Sequence, residues 1–211
     1  MAKVKICGLN DPAGFDAAVA AGADWLGFVF FPASPRAILP AQAAALSARA
    51  PGPQAGGPLR AGLFVDPDAA MIAATLAEVK LDILQIYAPL ARAAALAASF
   101  GLPFWHPTGV SGRDDLPRDA GSAAALLIET KAPKQATRPG GNGAMFDWRL
   151  LRGWTAPAPW LLAGGLTPDN VAEAIAVTGA AGVDVSSGVE AAPGRKDPAR
   201  IRAFIAAAKA A

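Results

Sequence analysis

The chain has 211 residues, of which 53% are hydrophobic, 17% charged and 7% aromatic, and 19 basic against 17 acidic residues leave a formal charge of +2. That apolar content excludes a disordered polyelectrolyte, and 22 glycines and 19 prolines scattered without a period exclude collagen and coiled coil. A near-balanced charge without a Lys/Arg run gives no basis for a nucleic-acid partner.

One cysteine cannot make an intrachain disulfide, which predicts an intracellular chain. No apolar run reaches the roughly 18 residues of a membrane span, and Met1-Ala2-Lys3-Val4-Lys5-Ile6 lacks the apolar stretch of a signal peptide. A cytoplasmic protein with no membrane partner is therefore expected. Its length is enough to bury a core without metals or disulfides.

Two textures alternate along the chain. Short runs rich in β-branched or aromatic residues, bounded by Gly or Pro, predict strands at 4–7, 25–30, 61–65, 83–87, 103–106, 125–129, 160–163 and 182–186. Ala-rich stretches between them predict helices at 13–21, 40–48, 68–79, 89–100, 169–178 and 198–208. Asp11-Pro12, Asp66-Pro67 and Thr167-Pro168 read as helix starts, each a capping side chain followed by a first-turn proline. Two connections are weaker: a short helix after Ser111, and a helical piece at 146–152 behind a Gly-rich loop. The Pro- and Gly-rich stretch 50–58 reads as a loop.

This gives eight strand-then-helix units spaced about 25 residues apart, which implies a parallel sheet with helical crossovers. Eight such units in this length fit an α/β fold of the closed (β/α)8 type, one domain spanning 1–211. An open doubly wound sheet is the alternative, but no G-x-G-x-x-G follows a strand to support it.

In such a barrel the chemistry sits at the C-terminal ends of the strands. Cys7 ends the first strand, and is either a nucleophile or general base with a stabilised thiolate, or a buried inert thiol. Arg36, held behind a proline in Ser34-Pro35-Arg36, suits bidentate capture of a carboxylate; otherwise it is a solvated loop side chain. Glu129 ends the sixth strand, as a general acid with a raised pKa or as an exposed carboxylate. Gly164 and Gly165 follow strand seven, and Ser186 and Ser187 follow strand eight. Those small-residue loops are either an anion cradle or tight turns, and barrels often bind phosphate there. These residues point to a small phosphorylated ligand.

Several motifs appear in order. They are Lys5-Ile6-Cys7-Gly8-Leu9; Phe28-Val29-Phe30 with Ser34-Pro35-Arg36; Gly140-Gly141-Asn142-Gly143 with Phe146-Asp147-Trp148; and Leu162-Ala163-Gly164-Gly165-Leu166 with Asn170-Val171. Next come Gly182-Val183-Asp184-Val185-Ser186-Ser187-Gly188-Val189-Glu190 and Pro193-Gly194-Arg195-Lys196-Asp197, with Phe204 beyond. Nearly the whole chain thus resembles the phosphoribosylanthranilate isomerases of tryptophan biosynthesis.

The resemblance implies an Amadori rearrangement of N-(5-phosphoribosyl)anthranilate to 1-(2-carboxyphenylamino)-1-deoxyribulose 5-phosphate, needing no metal or organic cofactor because the substrate's iminium is the electron sink. It implies Cys7 as the base and places Glu129 where the family has its acid. Arg36 would face the anthranilate carboxylate, with Asp184 and Gln85 in the substrate site. Gly141, Gly143, Gly164, Gly165, Ser186 and Ser187 would surround the phosphate.

Two departures stand out. The family usually carries Asp at the position of Glu129. It commonly reads Gln-Leu-His-Gly on the fourth strand, where this chain has Gln85-Ile86-Tyr87-Ala88. If the extra methylene of Glu129 is a handicap, Glu129→Asp keeps or raises kcat; a collapse would mean a site built around Glu. The alternative function is a diverged barrel that binds a sugar phosphate with lost or altered catalysis. His106 reads as a strand-end residue of structural use. Ala-rich helix faces predict a monomer.

Overall fold

The computed structural model describes residues 1–132 and 145–211. Gly141 and Gly143, with the rest of the Gly-rich loop, lie outside the described residues.

Eight parallel strands close into a barrel in sequence order. They are β1 (Lys3–Cys7), β2 (Trp25–Val29), β3 (Leu59–Val65), β4 (Ile83–Tyr87), β5 (Phe104–Val110), β6 (Ala125–Thr130), β7 (Trp160–Leu162) and β8 (Gly182–Val185). β1 pairs with β2 on one side and with β8 on the other, which closes the ring and leaves it no free edge. The helices are α1 (Pro12–Ala20), α2 (Pro40–Ser47), α3 (Ala69–Glu78), α4 (Leu90–Phe100), α5 (Val171–Thr178) and α6 (Pro198–Ala210). Among the described residues, the connection after β5 carries a 3-10 turn at Arg113–Asp115 and the connection after β6 one at Trp148–Leu151, where the sequence signal is weak. A third 3-10 turn, Pro53–Ala55, lies in the loop before β3. No helix among the described residues is long and apolar enough to cross a membrane.

Two of the three helix starts differ from expectation. Asp11 caps α1 as expected, accepting from Gly14 N at 2.8 Å. Asp66 does not start α3: it has φ +45° and pairs with Arg92, and Asp68 caps the helix through Met71 N. Thr167-Pro168 instead opens a turn in which Asn170 Oδ1 accepts from Thr167 N, and α5 begins at Val171. In both cases an Asp or Asn side chain two or three residues later offers the backbone a better partner.

β5 runs four residues past its expected end at His106. His106 is therefore mid-strand, and its Nε2 donates to the Ala88 carbonyl at 2.9 Å, which fastens β4 to β5.

Side chains alternate between the two faces of each strand. Val4, Ile6, Leu26, Phe28, Leu84, Ile86, Leu126, Ile128 and Val183 belong to the apolar layer under the helices. The other parity fills the barrel. Its floor is Ala61, Ile83, Trp105, Ala125, Leu127 and Leu161, with Trp25 meeting Trp105 edge-on at 5.1 Å. The bulk of β5 is thus the plug of the barrel. Above it the interior turns polar, and the same parity brings Lys5, Cys7, Gln85, Tyr87, Glu129 and Asp184 inward.

Candidate active site

The site begins with a buried ammonium. Lys5 is fully buried and donates to Gln85 Oε1 at 2.7 Å and to Asp184 Oδ1 at 2.9 Å. Burial acts to lower its pKa, but Asp184 and Cys7 outweigh this and hold it above its ordinary value. Lys5 stands two residues before Cys7 on β1, so strand periodicity puts both on the interior face. Lys5 carries no role in the sequence motif that contains it; its shared parity with Cys7 is the signal that places it in the site.

Cys7 is 4% exposed. Burial pushes its thiol up and Asp184 adds to this, while Lys5 and Lys196 pull it down. Gly27, its partner across β1 and β2, gives it room: a Cβ there would stand 3.1 Å from Cys7 Sγ. Ser186 donates its hydroxyl to the Cys7 carbonyl at 3.1 Å, tying the ends of β1 and β8 together.

Glu129 is 7% exposed, so it is not an exposed strand-end carboxylate. Burial raises its pKa to about 8, with Asp184 adding and with Tyr87 and Lys5 opposing. Tyr87 donates its hydroxyl to Glu129 Oε2 at 3.2 Å, and Gln85 Nε2 lies 3.5 Å from the same hydroxyl. Burial and the Glu129 carboxylate raise the pKa of Tyr87 well above its usual range, so it acts as a donor.

Arg36 is not a solvated loop side chain either; it is 4% exposed. Its Nε and Nη2 donate to Glu190 at 2.6 and 2.9 Å. Lys196 donates to the same carboxylate at 2.9 Å and to the Ser186 carbonyl at 2.9 Å. Burial raises Glu190, but its two cationic partners win and hold it low; burial depresses Lys196 despite that partner. Two short antiparallel strands, β9 (Glu190–Ala192) and β10 (Arg195–Lys196), bring Glu190 and Lys196 together. Neither residue's role is legible in the sequence, because their partner Arg36 lies more than 150 residues away.

Glu190→Ala would leave two buried cations without a carboxylate. It should cost about 3–5 kcal/mol of stability in urea unfolding, with Tm lower by about 10 °C. Loss under 1 kcal/mol would show that the triad is not a tie between β9 and the loop after β2.

The loops after β7 and β8 lie against each other. A Cβ on Gly188 would stand 1.8 Å from the Leu166 carbonyl, so the two backbones are in direct contact there. Gly164 and Gly165 have φ +86° and +67°, and Ser187 opens a 3-10 turn, Ser187–Val189. The sequence-expected residues thus fall into two groups on one mouth. Cys7, Gln85, Glu129 and Asp184 are linked through Lys5 and Tyr87, and the glycine and serine loops border them. Arg36 adjoins through Glu190 and Lys196. Among the described residues no cluster of His, Cys, Asp or Glu could hold a metal ion.

The fold and site define a class: a (β/α)8 barrel with a buried thiol and a proton-retaining carboxyl at the strand ends, suited to acid–base chemistry. The model of the N-(5'-phosphoribosyl)anthranilate isomerase family matches residues 4–207. The Acidiphilium cryptum N-(5'-phosphoribosyl)anthranilate isomerase is 53% identical over 211 residues and is covered in full, as is this chain. The solved phosphoribosyl anthranilate isomerase of Thermotoga maritima superposes with a TM-score of 0.86 at 35% identity, both chains covered in full. A further phosphoribosyl anthranilate isomerase structure, in complex with reduced 1-(o-carboxyphenylamino)-1-deoxyribulose 5-phosphate, matches with a TM-score of 0.83 at 32% identity, again over both full chains. The chain belongs to the N-(5'-phosphoribosyl)anthranilate isomerase family.

Proposed function

We propose that the protein catalyses the Amadori rearrangement of N-(5'-phosphoribosyl)anthranilate in tryptophan biosynthesis, with Glu129 as general acid and Cys7 as general base. The observation that carries this reading is geometric: Glu129, buried and hydrogen-bonded by Tyr87, stands on the same barrel mouth as the only thiol, and burial raises its pKa to about 8.

Glu129 gives its proton to the furanose ring oxygen. The C1–O bond breaks as the anilino nitrogen's lone pair forms the C1=N iminium. The Cys7 thiolate then takes the C2 proton, and the C2–H electron pair flows into the iminium to give an enolamine. Tautomerisation of the enolamine yields the C2 ketone. The cationic iminium also favours the thiolate, offsetting the burial that raises Cys7 in the free protein.

Arg36 fits the anthranilate carboxylate by geometry. Glu190 takes the Nε/Nη2 side of its fork, and the Nη1 edge is left to face a second carboxylate. Gln85 and Asp184, both held by Lys5, shape the substrate wall. Backbone N–H groups of Gly164, Gly165, Ser186 and Ser187 suit the phosphate, joined by Gly141 and Gly143 of the loop outside the described residues. A monomer fits the surface: the large hydrophobics exposed among the described residues are only Met1, Leu39 and Met145.

The test is direct. With phosphoribosylanthranilate generated in situ, the purified protein is expected to accelerate the loss of anthranilate-type fluorescence in a single exponential at low substrate. No acceleration, together with tight binding of the reduced product analogue, would favour the alternative, a sugar-phosphate binder without this chemistry.

A further inference from the structure

Tyr87 and Glu129, two of the positions at which the sequence departs from the pattern it resembles, are in contact. Both departures lengthen the side chain. A chain of donors reaches this contact. The Lys5 ammonium can only donate, so Gln85 presents its carbonyl to Lys5 and its amide nitrogen to the Tyr87 hydroxyl. With a lone pair of that hydroxyl facing Gln85, its proton points to Glu129 Oε2. The direction of every link is therefore set by one buried cation. In a protonated carboxyl the carbonyl oxygen is the better acceptor, so an Oε2 that accepts from Tyr87 favours the acid's own proton on Oε1.

We infer that Tyr87 is a positioning residue: its hydroxyl pins Oε2 of Glu129, so that the longer acid presents its proton from Oε1 toward the substrate's ring oxygen. This rests on the assignment of Glu129 as the acid. Glu has one more rotatable bond than Asp, and a tether at one oxygen removes the freedom that the extra bond adds. His at position 87 would have no hydroxyl to extend toward Glu129, so the two departures form a matched pair. The charged and titratable groups around the contact are Lys5 and Cys7 from β1 and Asp184 from β8. The Tyr87 hydrogen bond favours the Glu129 carboxylate, so its loss shifts Glu129 upward.

The experiment is kcat and KM across pH for the wild type, Tyr87→Phe, Glu129→Gln and the double variant. Tyr87→Phe is expected to lower kcat about 10- to 100-fold, the size of effect a misplacement near 1 Å produces. KM should stay within about threefold, as for an interaction made only in the transition state. The limb of the profile that disappears in Glu129→Gln should move to higher pH in Tyr87→Phe. In the Glu129→Gln background, Tyr87→Phe should cost nothing more.

An unchanged kcat and pH limb in Tyr87→Phe would overturn the inference, as would a loss that multiplies with that of Glu129→Gln. Should Tyr87→Phe not fold, Glu129→Asp against Tyr87→His/Glu129→Asp decides. At least tenfold recovery in the pair supports the matched-pair reading, and no recovery overturns it. The underlying reading is scored separately: a wild type without turnover removes the assigned reaction, and a fully active Glu129→Gln removes the acid.

Discussion

Replacing Cys7 by Ala is expected to lower kcat by about 10³-fold or more, at the upper part of the range for a lost general base. KM and affinity for the reduced product analogue should change by less than about threefold, because a general base acts on the C2 proton in the transition state. Cys7→Ser should fail nearly as badly, since a hydroxyl does not ionise at working pH even beside an ammonium. The substitution is mild for the fold: Cys7 packs against Gly27, and a methyl fits where a thiol stood. The free enzyme should show its activity rising as the Cys7 thiol ionises, at a pH above the ordinary thiol range, because burial dominates its surroundings. A variant that keeps turnover but loses the product analogue would overturn the base assignment.

Glu129→Gln is expected to cost about 10²- to 10⁴-fold in kcat, since the amide cannot supply the ring-opening proton. Glu129→Asp should also fall, by about 10²-fold, because the carboxyl retreats by about one bond length and leaves the Tyr87 hydroxyl. The extra methylene is on this account built into the site and is no handicap; an Asp variant as fast as wild type would refute that.

The same residue links function to stability. The folded value near 8 lies above the usual carboxylate value of 4.5 in the unfolded chain, so the folded state holds this proton more tightly. The favourable contribution is full below about pH 4.5 and is lost as pH rises through about 8. Urea unfolding should therefore show Glu129→Gln more stable than wild type at pH 9, by on the order of a few kcal/mol, with the difference shrinking toward pH 5. A constant difference across pH would mean Glu129 is not the group that titrates.

Much of the site was legible because it follows from strand periodicity and chain order. Cys7 and Glu129 stand at strand ends, and Gly164, Gly165, Ser186 and Ser187 follow the two strands where barrels bind phosphate. Gln85 and Asp184 entered through resemblance, and their shared partner Lys5 went unassigned. Arg36 was identified, but not the buried carboxylate that holds it. Tyr87 stands out in the sequence as a departure, but its contact to Glu129 exists only in the fold.

The sequence by itself determined the alternation of strands and helices and hence a parallel sheet with helical crossovers, and it favoured a closed barrel over an open one. Periods of two and 3.6 residues, with their Gly, Pro and Asp punctuation, are local properties of the chain. Only the tertiary structure decided which polar interior groups meet. Lys5 with Asp184, Arg36 with Glu190 and Tyr87 with Glu129 are contacts across 179, 154 and 42 residues. Such pairings depend on barrel closure and on the depth at which each side chain enters the interior. The same closure removes the water around Glu129, and that loss of solvent makes a carboxylate into an acid at neutral pH.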